Sequence, residues 1–412
     1  MPTAIATYSK RSFYEKVVLN MLSKMDKGVL NITMPSGELV RLGTGEGNIT
    51  ANVEIKNNDF FKRCVLFGDI GFGESYVDGD WDTDSITNVI KWFLINVDNA
   101  PTVSGSSAKN IALNILKTFN KIYHFKRANS VSGSRKNISE HYDLNNDFFA
   151  LFLDPTMTYS SAYFKEEGMT LQQAQVEKYD RLCKQLHLKP SDHVLEIGSG
   201  WGGNAIHMAK NYGCKVTTVT ISEEQYKLAK ERVEVEGLSH KVSVELQDYR
   251  LLQGKFDKIV SIEMLEAVGA EFYDVYFKKC NELLNKSGIL ALQVITCPDS
   301  RFESLRNGVD WIQKHIFPGS LLPSVGAINK AINNTGDLTL VDLKDIGLHY
   351  AKTLKLWREQ FNQHLSEVKR LGFDERFIRK WNYYLCYCEG AFEMRNINVM
   401  QMVYSRPNNI VR

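Results

Sequence analysis

The densest chemistry in the chain lies at residues 194–203, which read V-L-E-I-G-S-G-W-G-G. Glu196 stands two residues before the first of three glycines at alternate positions, Gly198, Gly200 and Gly202, with Trp201 between the last two. Glycine lets a backbone approach a ligand where a Cβ would collide. The spacing of Ala205, Met208 and Ala209 predicts a helix directly afterwards, and its free N-terminal amides would face that ligand. Dinucleotide sites use G-x-G-x-x-G at such a turn. The pattern here is E-x-G-x-G-x-G, which favours S-adenosylmethionine (SAM), whose ammonium a carboxylate can meet, over a pyrophosphate. The bland alternative is a tight turn in a doubly wound sheet.

Three further groups fall after apolar runs. Asp248 follows the run ending at Leu246 and has Tyr249 beside it. A carboxylate and an aromatic ring suit adenine, one accepting from the exocyclic amine while the other stacks; the alternative role for Asp248 is a helix cap. Thr220, Ser222 and Gln225 follow the run at 215–219, where SAM sites commonly place an acid for the ribose. The position is neutral here, and Ser222 could simply cap a helix beginning near Glu223. Glu266 belongs to E-M-L-E-A-V-G, with two acids flanking Met264 and Leu265 at a strand end. That setting favours a functional carboxylate over a buried ion-pair partner.

The elements that must position these groups alternate. Strands are predicted at 194–197, 215–219, 242–246, 256–261 and 288–295, and helices at 204–211, 223–235 and 271–284. This βα rhythm specifies an α/β fold with a parallel sheet and helices on both faces. Ligands in such sheets bind beyond the carboxyl ends of the strands at the switch point. Glu196, Thr220, Asp248 and Glu266 all fall at or near those ends.

At 412 residues two domains are expected. A hydrophobic fraction of 43% with 24% charged residues is ordinary for a soluble folded chain, and a net charge of +2 argues against bulk nucleic-acid binding. Seven cysteines without a C-x-x-C pair read as reduced thiols, and nine scattered histidines suggest no metal site. No secretory signal is visible, and no window resembles a membrane-spanning run. Phe13, Val17, Met21 and Met25 lie four apart on one predicted helical face accompanied by lysines, either docking on its own domain or touching a membrane surface. Residues 30–65 read as a small antiparallel sheet. Residues 68–81, rich in glycine and acids, read as loop or short helix, a structural turn being preferred to a metal loop because the acids lack the spacing of a calcium loop. Residues 101–139 hold seven basic residues and no acid. They are expected to form a linker with a basic amphipathic helix, packing on a neighbour or on a membrane. Apolar helical stretches at 306–317 and 376–390 would line a lipid tunnel or simply form core.

Longer segments then carry a resemblance. They are H-Y-D-L-N-N-D-F-F from His141, D-P-T-M-T-Y-S-S-A-Y-F from Asp154, E-M-L-E-A-V-G from Glu263, I-F-P-G from Ile316 with L-P-S from Leu322, Y-L-C-Y-C-E-G-A-F from Tyr384, and Y-S-R-P from Tyr404. In order and spacing the chain resembles the cyclopropane-fatty-acyl-phospholipid synthases, relatives of the mycolic-acid cyclopropane and methyl transferases, over roughly residues 60–410. It is most similar to the plant-type branch.

The resemblance implies a SAM-dependent methyltransferase with a Rossmann-like, doubly wound sheet. It would comprise a lipid-presenting α+β domain at 1–100, a basic linker at 101–137 and a catalytic domain at 138–412. SAM would be held by Tyr159, Ser160, Glu196, Gly198, Gly200, Trp201, Gly202, Thr220, Ser222, Gln225, Gln247, Asp248 and Tyr249. The implied activity is methylene transfer to the cis double bond of a phospholipid acyl chain through a carbocation. The implied base is a bound bicarbonate whose contacts map onto Ser161, Glu266, Gln293, Ile295 and Tyr350. Cys388 matches a cysteine sometimes credited with catalysis, though its apolar surroundings suggest an inert thiol. Ser161 and Gln293 stand where the best-known bacterial pattern has Cys and His. A different fate of the cation would give a methyl-branched or methylene-bearing chain instead. A rival of another class is a non-catalytic lipid-binding protein. Peripheral association with the cytoplasmic face of the inner membrane and a homodimer are further expectations.

Overall fold

The computed structural model describes residues 11–97 and 145–410. The basic segment at 101–139 and the H-Y-D motif at 141–143 lie outside the described residues. Two compact units emerge: residues 11–97 with Arg379–Tyr383, and residues 145–378 with 384–410.

In the first unit a helix, Phe13–Leu22, starts with a capping box between Ser12 and Glu15. It buries Val18, Leu19 and Leu22 while Phe13 and Val17 stay exposed. The expected Phe13–Val17–Met21 stripe is therefore not the buried face. Strands β1 (Val29–Thr33), β2 (Leu39–Leu42), β3 (Thr50–Ile55) and β4 (Trp81–Asp82) form a sheet in the order β2-β1-β3-β4. The sheet is mixed rather than antiparallel, because β3 returns beside β1 in the parallel sense. Period-two alternation is the same in both senses, so the sequence pattern could not separate them. The expected turn at 68–81 is mostly helix: Asp59–Val77 runs through a kink at Gly68, φ 59°. Past the kink a Cβ on Gly71 would lie 2.2 Å from the Arg63 carbonyl oxygen. Glycine permits that close return of the chain rather than ending the helix.

The second unit is organised by a seven-stranded sheet in the order β10-β11-β9-β8-β5-β6-β7. Its strands are β5 (His193–Ile197), β6 (Lys215–Thr220), β7 (Val242–Leu246), β8 (Phe256–Ile262), β9 (Leu284–Thr296), β10 (Thr339–Asp345) and β11 (Asn398–Ser405). β5 through β9 pair in parallel, and β11 joins β9 and β10 antiparallel. Alternate residues feed two cores. Leu195, Ile259, Leu290 and Leu292 pack with Tyr276, Phe277 and Ile328 on one face. Val194, Val260, Ile289 and Ala291 pack with Leu182, Met208 and Val233 on the other. Each fully buried side chain of this kind contributes about 1.5–3 kcal/mol, which is why the strands read as continuous apolar runs. From β5 the chain winds outward through β6 and β7, then returns to β8 on the other side of β5. That reversal is the switch point.

Helix ends depart from expectation in two places. The stretch at 306–317 is two helices, Asp299–Arg306 and Trp311–His315, because Asp310 starts a new one with its own capping box. The helix expected at 271–284 is Tyr273–Leu283, preceded by a 3-10 turn at Ala270–Phe272. Among the described residues no helix is long and apolar enough to cross a membrane.

Candidate active site

At the end of β5 the chain turns on Gly198, Gly200 and Gly202, whose φ angles of 96°, 47° and 84° lie in the left-handed region. A Cβ on Gly200 would meet nothing within 4 Å, so that side of the turn is an open cradle, while one on Gly198 would press on Met264 at 3.3 Å. The turn thus adjoins the segment that carries Glu263 and Glu266. The helix Gly203–Tyr212 follows, with Gly202 as its left-handed N-cap. Open glycine backbone before a helix N-terminus fits SAM, as the spacing predicts.

The residues expected to hold the cofactor each have specific local partners. Glu196 is buried, with one oxygen accepting from Asn204 Nδ2 at 2.7 Å and the other from Thr218 Oγ1 at 2.6 Å. Burial pushes its carboxyl up to about 7 against those bonds and the Lys178 charge. Trp201 packs its ring on Phe149 and donates from Nε1 to Asn146. Thr220 Oγ1 bonds Gln225 Oε1 at 2.9 Å, and Ser222 caps the helix Glu223–Val235 through the Gln225 amide. The Gln247 amide donates to the Thr220 carbonyl. Asp248 accepts from the Arg250 amide and guanidinium, so the capping role is present, with Tyr249 next to it. Tyr159 stacks on Trp357 at 5.2 Å and bonds Tyr384 through its hydroxyl at 2.8 Å. Ser160 accepts at Oγ from Lys178 Nζ at 2.7 Å.

Beyond β8 and β9 a second constellation gathers. Glu263, the residue after β8, holds a left-handed backbone at φ 49°. Its Oε1 accepts from the Ser161 amide at 2.8 Å and from Gln293 Nε2 at 2.8 Å, and the Tyr350 hydroxyl bonds the same carboxylate. Glu266 Oε1 accepts from the Ile295 amide at 2.5 Å, while its Oε2 is buried without a hydrogen-bond partner. The hydroxyl of Ser161 turns to the Ala162 carbonyl, so only its amide faces the carboxylate. The Gln293 amide has a fixed sense. Arg181 can only donate; it donates to Gln401 Oε1 at 2.8 Å, Gln401 Nε2 donates to Gln293 Oε1 at 2.8 Å, and Gln293 Nε2 is left as a donor at the site.

Two carboxyls this close separate in acidity. Burial and the neighbouring Glu263 charge push Glu266 up to about 8. Burial raises Glu263 as well, but Gln293, Lys178, the Ser161 amide and Tyr350 all draw it down. Of the two, Glu263 has the hydrogen-bond donors and the cation that favour its charged form. Lys178, wholly buried, is lowered to about 7 by burial against the pull of Glu263, Asp154 and Glu196. Tyr350 also meets Phe392 at 4.7 Å and Trp357 edge-on at 5.9 Å, so aromatic faces enclose the same region. Cys388 lies close enough to Tyr350 to act electrostatically on its hydroxyl, and desolvation pushes the Cys388 thiol far above the usual range.

A family model described as Mycolic acid cyclopropane synthetase matches residues 129–402. The chain belongs to that family. It is 40% identical over 362 residues to the cyclopropane-fatty-acyl-phospholipid synthase of Escherichia coli K12, covering 87% of this chain and 89% of that one. It is equally 40% identical over 352 residues to the tuberculostearic acid methyltransferase UfaA1 of Mycobacterium tuberculosis, covering 84% and 81%. Among solved structures, the mycolic acid cyclopropane synthase CmaA1 complexed with SAH and CTAB superposes with a TM-score of 0.61 at 31% identity, covering 66% of this chain and 98% of that one. The chain is thus a homologue of SAM-dependent cyclopropane synthases and a methyltransferase enzyme of the mycolic acid cyclopropane synthetase family.

Four residues of the site had been passed over as candidates. Glu263 had been read only as part of a motif. Lys178 and Gln175 sit on the buried stripe of the helix Leu171–Gln185 with Ala174, Tyr179 and Leu182. Polar residues in phase with an apolar stripe were the available signal. Gln401 lies in β11 and carries no local signal.

Proposed function

We propose that this enzyme transfers a methylene group from SAM to the cis double bond of an unsaturated phospholipid acyl chain and closes a cyclopropane ring. One observation carries the reading: the open glycine turn after β5 adjoins, through Gly198 and Met264, the carboxylates Glu263 and Glu266 at the end of β8. Bound SAM supplies an electrophilic methyl. An alkene is a poor nucleophile, so positioning in a site that excludes water must supply several kcal/mol of the barrier. Tyr159, Trp357 and Tyr350 form one aromatic cluster, and rings of this kind stabilise a cation such as the one that forms on the acyl chain. The residues proposed to hold SAM and to act on the chain are those placed around the two strand ends.

Incubation of the purified chain with SAM and vesicles of a dioleoyl phospholipid tests this. The expected result is release of S-adenosylhomocysteine with a gain of one CH2 per modified chain, and product NMR showing a ring. Absence of any lipid product from a chain that binds SAM would defeat the reading and favour a lipid-binding role. The 40% identity to a tuberculostearic acid methyltransferase supports a second reading, a methylene or methyl-branched product from the same cation. Chain fragmentation and NMR separate these outcomes.

The substrate's acyl chain lies in a bilayer, which supports peripheral association with a membrane surface. Exposed Phe13 and Val17 on the first helix, with exposed Lys16 between them in sequence, are the proposed contact. A homodimer rests on the family resemblance alone.

A further inference from the structure

We infer that Glu263 is the general base of this enzyme, standing where the family resemblance implies a bound bicarbonate. This rests on the reading proposed above and concerns one of its steps.

Three observations carry it. First, the donors expected to hold the bicarbonate are committed to the protein's own carboxylate. The Ser161 amide and Gln293 Nε2 both bond Glu263 Oε1 at 2.8 Å, and Tyr350 bonds the same group. The remaining expected donor, the Ile295 amide, is taken by Glu266. The site therefore does not fit a separate small anion in addition to Glu263. Second, the sense of the Gln293 amide is imposed from outside the site by Arg181 through Gln401. Its two N–H hydrogens are spent on the Ser161 carbonyl at 3.1 Å and on Glu263 Oε1 at 2.8 Å, so none is left over for a second anion. Third, Glu263 adopts φ 49°, where glycine is the favoured residue and a side chain is strained. Strained backbone of this kind collects at functional sites. Glu263 is less enclosed as a residue than Ser161 and Gln293, which are fully buried, while its carboxyl group is itself desolvated.

The step balances as follows. The alkene π pair forms a carbon–carbon bond to the transferred methyl as the carbon–sulfur bond breaks, its pair remaining on sulfur. The neighbouring alkene carbon is left cationic. The Glu263 carboxylate takes a proton from the new methyl, and the freed C–H pair forms the second carbon–carbon bond. Glu263 leaves the step protonated and returns that proton to water before the next turnover. Glu266, with its carboxyl held largely neutral, does not compete for it.

The test uses the purified full chain, SAM and dioleoyl phospholipid vesicles in buffer freed of carbon dioxide, with and without millimolar bicarbonate. Wild-type turnover should be the same in both. Glu263→Gln should lose about 100-fold or more in kcat, with SAM affinity measured by calorimetry unchanged. Glu263→Gly relieves the backbone strain and opens the donor set, so it should melt no lower than wild type and recover turnover as bicarbonate is added. A wild type whose rate depends on bicarbonate overturns the inference alone. So does a Glu263→Gln variant with near-normal kcat, or a loss of SAM binding that accounts for the loss of turnover in both variants. A wild type that binds SAM but alkylates no unsaturated lipid overturns the parent reading and this inference with it.

Discussion

Glu196 and Glu263 sit at the carboxyl edges of two adjacent strands, β5 and β8, and the fold treats them in opposite ways. Glu196 lies within a regular strand, and its oxygens are divided between Asn204 and Thr218. It joins β5 to β6 and to the helix that follows the glycine turn. Glu263 lies just past its strand on left-handed backbone, with donors from three separate segments around it. Burial raises both acids, so burial does not tell a bracing carboxylate from a reacting one. The distinguishing features are the donors drawn from three distant segments and the backbone strain at Glu263, a cost of about 1–2 kcal/mol for a non-glycine residue.

The most severe test sets Glu263 against its neighbour rather than against Glu196. Glu263→Gln is expected to cost about 100-fold or more in kcat, and Glu266→Gln only about tenfold, with normal SAM binding in both. The reverse order in steady-state kinetics would make Glu266 the base. At the β5 edge, Gly202→Val must force φ 84° on a branched residue and press on Ala229, whose Cβ lies 3.3 Å from the added atom. Loss of about 2 kcal/mol of stability and a weaker SAM affinity should accompany each other in denaturant melts and calorimetry. Unchanged SAM affinity would detach the turn from the cofactor.

A smaller effect tests the support behind Glu263. Gln401→Leu leaves Gln293 Oε1 buried without its donor, at about 1–3 kcal/mol. It also frees the Gln293 amide to flip, so kcat should fall while KM for SAM holds. The smallest effect concerns pH. The Glu266 carboxyl is raised from an ordinary 4.5 to about 8, so its contribution to stability is fully present below the lower value and lost as pH rises through the higher one. Between about pH 5 and about pH 7, below the range where Lys178 acts with the opposite sign, this carboxyl tilts stability downward as pH rises, against His193, His207 and His349, whose lowered values tilt it upward. Glu266→Gln should therefore shift the slope of stability against pH upward relative to wild type in urea melts, and an unchanged slope would remove Glu266 from the dependence.

Much of the β5 edge was legible beforehand because its signals are local. Three glycines with positive φ, the strand before them and the helix after them occupy one continuous stretch, and the Ser222 cap sits beside the helix it starts. The helix Glu223–Val235 begins and ends where its pattern predicted. The kinked helix Asp59–Val77 was misread for a local reason too: glycines that permit tight packing look the same in sequence as glycines that end a helix. The parallel sense of β1 and β3 was hidden because alternation carries no direction.

What the sequence determined by itself was the sheet rhythm, the glycine cradle, the family, and hence the SAM-dependent chemistry. All of these depend on residues close together in the chain or on ordered motifs. Which carboxylate gathers the donors of the site was decided only by the tertiary structure. Glu263 meets Ser161, Gln293 and Tyr350 from three distant segments, and the sense of the Gln293 amide is set by Arg181 through Gln401. A hydrogen-bond network has a direction only when its one-way donor is in place, and here folding alone brings that donor to the network.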